Sequence, residues 1–170
     1  MKAITHLIII ATLIISFNVS AQSQELKPFK SDFCSAWPEG QGTDPTQWAD
    51  CCFTHDLHYW LGGSQEERKE ADKELRSCVK LTGASIASFL MYLGVRLGGQ
   101  PGDANFAWSY GWTENRGYEA VSAEGLETAK TLLESSEYNQ NEATKPLVAA
   151  FLEDVLTPKL EEALNSSEID

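Results

Sequence analysis

The stretch Cys51-Cys52-Phe53-Thr54-His55-Asp56-Leu57-His58-Tyr59-Trp60 gathers two thiols, two imidazoles, a carboxylate and a phenol. An imidazole can take a proton from water or bind a metal. A carboxylate can hold a hard cation, and thiols can bind zinc or close disulfides. On a helix, Cys52, His55, Asp56 and Tyr59 fall at i, i+3, i+4 and i+7 and so project from one face. That face is a site, a stapled core, or both. Cys51, His55 and His58 at i, i+4 and i+7 also have the spacing of zinc ligands, but thiolate ligands require a reducing compartment.

The elements that must position this stretch are legible on either side of it. Asp44-Pro45 suits a helix start, with Asp44 as N-cap and Pro45 at the first position, and the helix is expected to run to about Leu61. Gly62-Gly63 ends it. Ser64-Gln65-Glu66-Glu67 is a capping box that opens a second helix through Cys78. A link this short predicts an antiparallel pair. Upstream, residues 22–32 read as an extended arm without function, and Phe33 to Pro45 as a Gly- and Pro-rich loop. Downstream, Ile86 to Leu97 is apolar and predicts a core helix, with Tyr92 and Arg96 paired at i, i+4. Phe106, Trp108, Tyr110 and Trp112 alternate, which suggests an extended piece whose rings line a pocket, touch lipid, or fill the core. The tail, about residues 122–170, predicts two amphipathic helices, with Pro158 kinking or ending the second.

Length and composition bound the rest. Met1-Lys2-Ala3, the apolar run Leu7 to Phe17 and Val19-Ser20-Ala21 have the three regions of a secretory signal peptide, so residues 1–21 are set apart from one domain over residues 22–170. The apolar run is too short for a comfortable membrane span, and no transmembrane segment is expected once it is removed. The expected location is periplasmic or secreted. Cys34, Cys51, Cys52 and Cys78 then read as two disulfides. Three pairings are open, and the adjacent Cys51 and Cys52 cannot easily join each other. The net charge is −12, and Lys2 is the only charged residue in the signal, so the remainder carries −13. This balance argues against nucleic acid and against tight docking on anionic lipid.

The run Cys51-Cys52-x-x-His55-Asp56-x-x-Tyr59 resembles the active-site helix of the secreted phospholipase A2 family. The resemblance implies an all-α, mainly helical fold: a disulfide-linked antiparallel helix pair, here with additional C-terminal helices. It selects Cys51–Cys78 and Cys34–Cys52 as the bridges. The numbers of Cys51 and Cys78 then sum to nearly the same value as those of His55 and Asp72, so one antiparallel register serves both pairs. By similarity, His55 is the general base that takes a proton from water attacking a glycerophospholipid acyl ester. Asp72 orients the imidazole and stabilises its charged form, Tyr59 hydrogen-bonds Asp72, and Asp56 binds Ca²⁺. Backbone carbonyls of the loop complete the metal site, with Trp37, Glu39 and Gly40 the candidates. The implied substrate is a phospholipid at a membrane or micelle surface. Ser35 and Trp37 stand where the family has glycines, and His58 and Ala71 where it has a cysteine pair. The altered loop motivates an alternative: a catalytically silent phospholipase A2-like module that binds lipid or protein.

Overall fold

The computed structural model describes residues 25–167, so the expected signal segment lies outside the described residues. Within them the chain is mainly helical, with isolated β-bridges and no strand. Helix α1 (Ala49–Leu61) is its axis, because residues on almost every side of it are buried. It starts at Ala49, not at Pro45. Asp44 instead accepts the Thr46 N–H in a local turn, and the Glu39 carbonyl takes the Trp48 N–H, which holds residues 45–48 in turns against the preceding loop. Gly62 ends the helix at φ 75°, in the left-handed region where a Cβ would be strained.

Helix α2 (Gln65–Leu81) opens with the expected capping box: Ser64 accepts the Glu67 N–H, and Glu67 accepts the Ser64 N–H. It packs back along α1, and Cys51–Cys78 crosses the seam with a Cα separation of 5.7 Å. Cys34–Cys52, at 5.2 Å, ties the upstream loop to the next position of α1. Both separations suit unstrained bridges.

The opposite face of α1 carries Phe53, Leu57 and Trp60, which sink into the main core with Leu126, Leu133, Val148 and Phe151 from the tail. Each such side chain contributes about 1.5–3 kcal/mol by leaving water. Trp48, Trp60, Trp108 and Trp112 are all buried, and each indole N–H donates to a backbone carbonyl, so none pays for burial with an unmet donor.

Several expectations change. The tail folds as α4 (Ala123–Glu134), α5 (Glu137–Gln140), α6 (Lys145–Phe151) and α7 (Thr157–Ser167), with a π-helical turn at Leu152–Leu156 between the last two. Pro158 therefore does not end the helix. The wide turn just before it absorbs the hydrogen bond that proline cannot make. Residues 106–112 form turns, not an extended strip. Trp108 and Trp112 are buried while Phe106 stays exposed, and Ser109 takes a positive φ. The arm is also structured, since Leu26 bridges Trp112 and Phe29 enters the core. Helix α3 (Ser85–Gly98), which packs on α2, is not a core helix. It buries Ser88 and Met91 but turns Ile86, Phe89, Leu90, Leu93 and Leu97 outward.

Candidate active site

His55 and Asp72 meet across the α1–α2 seam, one turn along from the Cys51–Cys78 bridge that fixes its register. His55 Nε2 lies 2.9 Å from Asp72 Oδ1, and the Tyr59 hydroxyl donates to the same oxygen at 2.7 Å. Arg96 Nη1, from α3, donates to Asp72 Oδ2 at 2.6 Å. Asp72 is fully buried. Burial pushes its carboxyl up, but the hydrogen bonds from His55, Arg96 and Tyr59 together outweigh it and hold Asp72 below the ordinary carboxylate range. An ionised carboxylate only accepts, so His55 must donate from Nε2, which leaves Nδ1 as its basic nitrogen. Burial, and after it the Asp72 charge, drives the Tyr59 phenol well up, so the hydroxyl remains a donor.

A second layer fixes the first. Arg68, wholly buried, donates from Nε to the Tyr59 hydroxyl at 3.2 Å and from Nη2 to the Val95 carbonyl at 2.7 Å. Gly99 passes so close to Tyr59 that a Cβ there would sit 2.5 Å from the phenol oxygen. Neither arginine was a sequence candidate for the site. Arg96 had been expected to pair with Tyr92, whose ring instead lies 5.3 Å beneath the Arg76 guanidinium. Arg96 lies 24 positions beyond Asp72, and no local spacing connects the two.

Asp56 sits beside this network. The Ser31 hydroxyl, from the arm, donates to Asp56 Oδ2 at 2.6 Å and accepts the Phe33 N–H at 2.9 Å. Burial pushes the Asp56 carboxyl up to about 8; the Ser31 hydrogen bond opposes this and the charge of Asp32 adds to it. His55, Asp56 and Tyr59 line a cavity of about 310 Å³ with residues 33–37, Leu90, Met91, Val95 and Phe106.

The expected loop residues divide. Trp37 lines the cavity, whereas Glu39 and Gly40 do not. The Glu39 carbonyl is taken by the Trp48 N–H at 2.9 Å, and a Cβ on Gly40 would meet the Asp44 carbonyl oxygen at 2.1 Å. Among the described residues no three His, Cys, Asp or Glu side chains cluster as a metal cage. Asp56, partly buried and within reach of the charge of Asp32, is a carboxylate lining the cavity, the donor type that a hard divalent cation would take. The Asp56 carboxylate would hold it, once the Ser31 hydroxyl gave up the oxygen it now occupies.

The zinc arrangement fails on its ligands, since Cys51 and Cys52 are both in disulfides. His58 lies apart from the cavity, with Nε2 3.3 Å from Glu74 and its ring edge-on to Phe151. Burial first, then the charges of His55 and Lys159, pushes its imidazole down to about 3. Compared with models of known protein families, with curated proteins and with solved structures, the chain matches none.

Proposed function

We propose that the chain hydrolyses an acyl ester of a glycerophospholipid in a Ca²⁺-dependent reaction of the phospholipase A2 type, releasing fatty acid and lysophospholipid. The observation that carries the reading is the His55–Asp72–Tyr59 unit at the wall of an apolar cavity that Asp56 also lines. His55 Nδ1 accepts a proton from a water as that water attacks the ester carbonyl, and later returns it to the departing lysophospholipid oxygen. Asp72 holds the imidazole in the tautomer this requires and balances its charge in between. Tyr59 and Arg96 hold Asp72 ionised and fixed. No serine nucleophile enters. Ca²⁺, when bound at Asp56, supplies positive charge for the ester carbonyl oxygen and the lipid phosphate. The apolar wall formed by Leu90, Met91, Val95 and Phe106 suits an acyl chain.

One observation favours the alternative, a phospholipase A2-like module that binds lipid or protein without turnover. Ser31 already occupies an Asp56 oxygen, and Glu39 and Gly40 stand outside the cavity. Fatty-acid release from mixed phospholipids, with Ca²⁺ and with chelator, separates the two. Release that requires Ca²⁺ supports the enzyme. Binding of lipid without release under either condition supports the module.

A further inference from the structure

We propose that residues 29–34 form a strap that competes with a divalent cation for Asp56, and that the C-terminal helices fasten this strap through Tyr138. The proposal deepens the acyl-ester reading, on which it rests for the choice of Ca²⁺ as the cation. It gives the tail a part in the site.

The strap is pinned at both ends. Phe29 is buried, its ring 5.4 Å from that of Phe53 and 5.6 Å from that of Trp60, both on α1. Cys34 is bonded to Cys52, also on α1. Between these anchors Lys30 and Asp32 are exposed and Ser31 is partly buried. Phe33 holds a φ of 60°, in the left-handed region that a side chain of its size rarely adopts. The middle of the strap can therefore shift while its ends stay in place.

Ser31 is the competing group. Its hydroxyl has one hydrogen, given to Asp56 Oδ2 at 2.6 Å, and its oxygen accepts the Phe33 N–H at 2.9 Å. A hydrogen aimed at that carboxylate oxygen and a cation on the same oxygen exclude each other. The tail holds Ser31 there. The Tyr138 hydroxyl, from α5, accepts the Ser31 N–H at 3.1 Å and donates to the Ser31 carbonyl at 3.4 Å. Its ring packs 5.1 Å from that of Phe29 and 5.3 Å from that of Phe53, and its own carbonyl accepts the hydroxyl of Thr144, which is buried at the start of α6. One side chain of the tail thus fastens both the backbone of Ser31 and the Phe29 anchor. Tyr110 adds a hydrogen bond from its hydroxyl to the Lys30 carbonyl at 2.7 Å.

Both Tyr138 contacts are longer than the commonest lengths for their kinds, so the tail holds the strap lightly enough for a cation to compete. The competition acts at the cavity wall, because Phe33 and Cys34 line the cavity together with Asp56. It is also reciprocal: whatever loosens the strap tightens the cation, and the cation loosens the strap by the same factor. Were Ser31 instead an oxygen ligand of the cation, its removal would change the affinity with the opposite sign.

The test is calorimetry of Ca²⁺ with the parent, S31A and Y138F at about pH 9.5, above the Asp56 value of about 8 so that protonation of this carboxyl does not mask the competition. S31A should bind roughly tenfold tighter and Y138F roughly threefold tighter, the sizes expected for losing a hydrogen bond to a carboxylate and a long pair between neutral groups. Hydrogen exchange supplies a second readout. Saturating Ca²⁺ should speed exchange of the Ser31 and Phe33 amides of the parent, whose acceptors are the Tyr138 hydroxyl and Ser31 Oγ. Circular dichroism of both variants should match the parent. Binding by S31A that is equal to or weaker than the parent's, slower exchange of those amides with Ca²⁺, or no Ca²⁺ binding by any of the three proteins would overturn the proposal. Fatty-acid release followed in parallel separates the two ideas. Ca²⁺-dependent release by the parent with unchanged affinity in S31A leaves the acyl-ester reading standing alone, and tighter binding by S31A without release by the parent leaves the strap standing alone.

Discussion

Replacing Asp72 by Asn keeps the side chain's shape and removes only its charge, so it isolates what that charge does. In the native protein the carboxylate accepts from His55, Tyr59 and Arg96 at 2.9, 2.7 and 2.6 Å with no exposure to water. An asparagine can present its carbonyl to His55 and Tyr59, but its NH₂ then meets the Arg96 guanidinium donor to donor. Removing one partner of a buried ion pair costs about 3–5 kcal/mol. Arg96 is about one-quarter exposed, so water recovers part of its loss and about 2–3 kcal/mol is expected. For a chain of this size that lowers Tm by roughly 4–12 °C at pH 7. The pH dependence has a defined sign. The folded carboxyl ionises below the unfolded value of 3.8, so its contribution is present above about pH 4 and is lost as pH falls through the folded value. The gap between parent and variant should therefore close in acid. Thermal melts of the parent, Asp72→Asn, Arg96→Met and the double variant measure both the loss and its coupling. A melt of Asp72→Asn within 2 °C of the parent at pH 7 (roughly the shift of a 1 kcal/mol change), or strictly additive single losses, would refute the account of the network.

Asp56→Asn should abolish Ca²⁺ binding by calorimetry with helical content unchanged. In chelator it should also melt higher than the parent near pH 8, because the buried carboxyl at about 8 makes the parent lose stability as pH rises from about 4. Unchanged Ca²⁺ affinity in the variant would remove Asp56 from the site. Cys51→Ala should cost about 2–5 kcal/mol in denaturant titrations. Non-reducing peptide maps should join Cys51 to Cys78 and Cys34 to Cys52, and a Cys34–Cys51 peptide would contradict the structure. Leu57→Ala, at a site with no exposure, should cost about 2–5 kcal/mol, and a loss under 1 kcal/mol would mean that the α1–tail core is looser than described.

What could be read from the sequence was local or repeated a register. The capping box at Ser64 and the glycines at 62 and 63 fix the α1–α2 turn by their own backbone chemistry, and the short turn then determines that Asp72 faces His55. Non-local partners were invisible. Arg96 reaches the site only because α3 folds back on α2, and Ser31 reaches Asp56 only because the arm is drawn in by Phe29 and Leu26. Apolar content misled at α3, since an apolar run states what a helix could bury and not whether a neighbour exists to bury it. Alternation misled at 106–112 for a related reason: a period of two was produced by turns whose tryptophans each seek a different backbone carbonyl.

Fatty-acid release from phospholipid, followed for the parent, His55→Gln and His58→Ala at the same Ca²⁺ concentration, tests the central claim most directly. Gln keeps the size and hydrogen bonding of His55 but cannot accept a proton, and His58 lies outside the cavity. The expected outcome is Ca²⁺-dependent release by the parent and by His58→Ala, and none by His55→Gln, which still binds Ca²⁺. Release retained by His55→Gln, or abolished in His58→Ala with its fold intact, would contradict it.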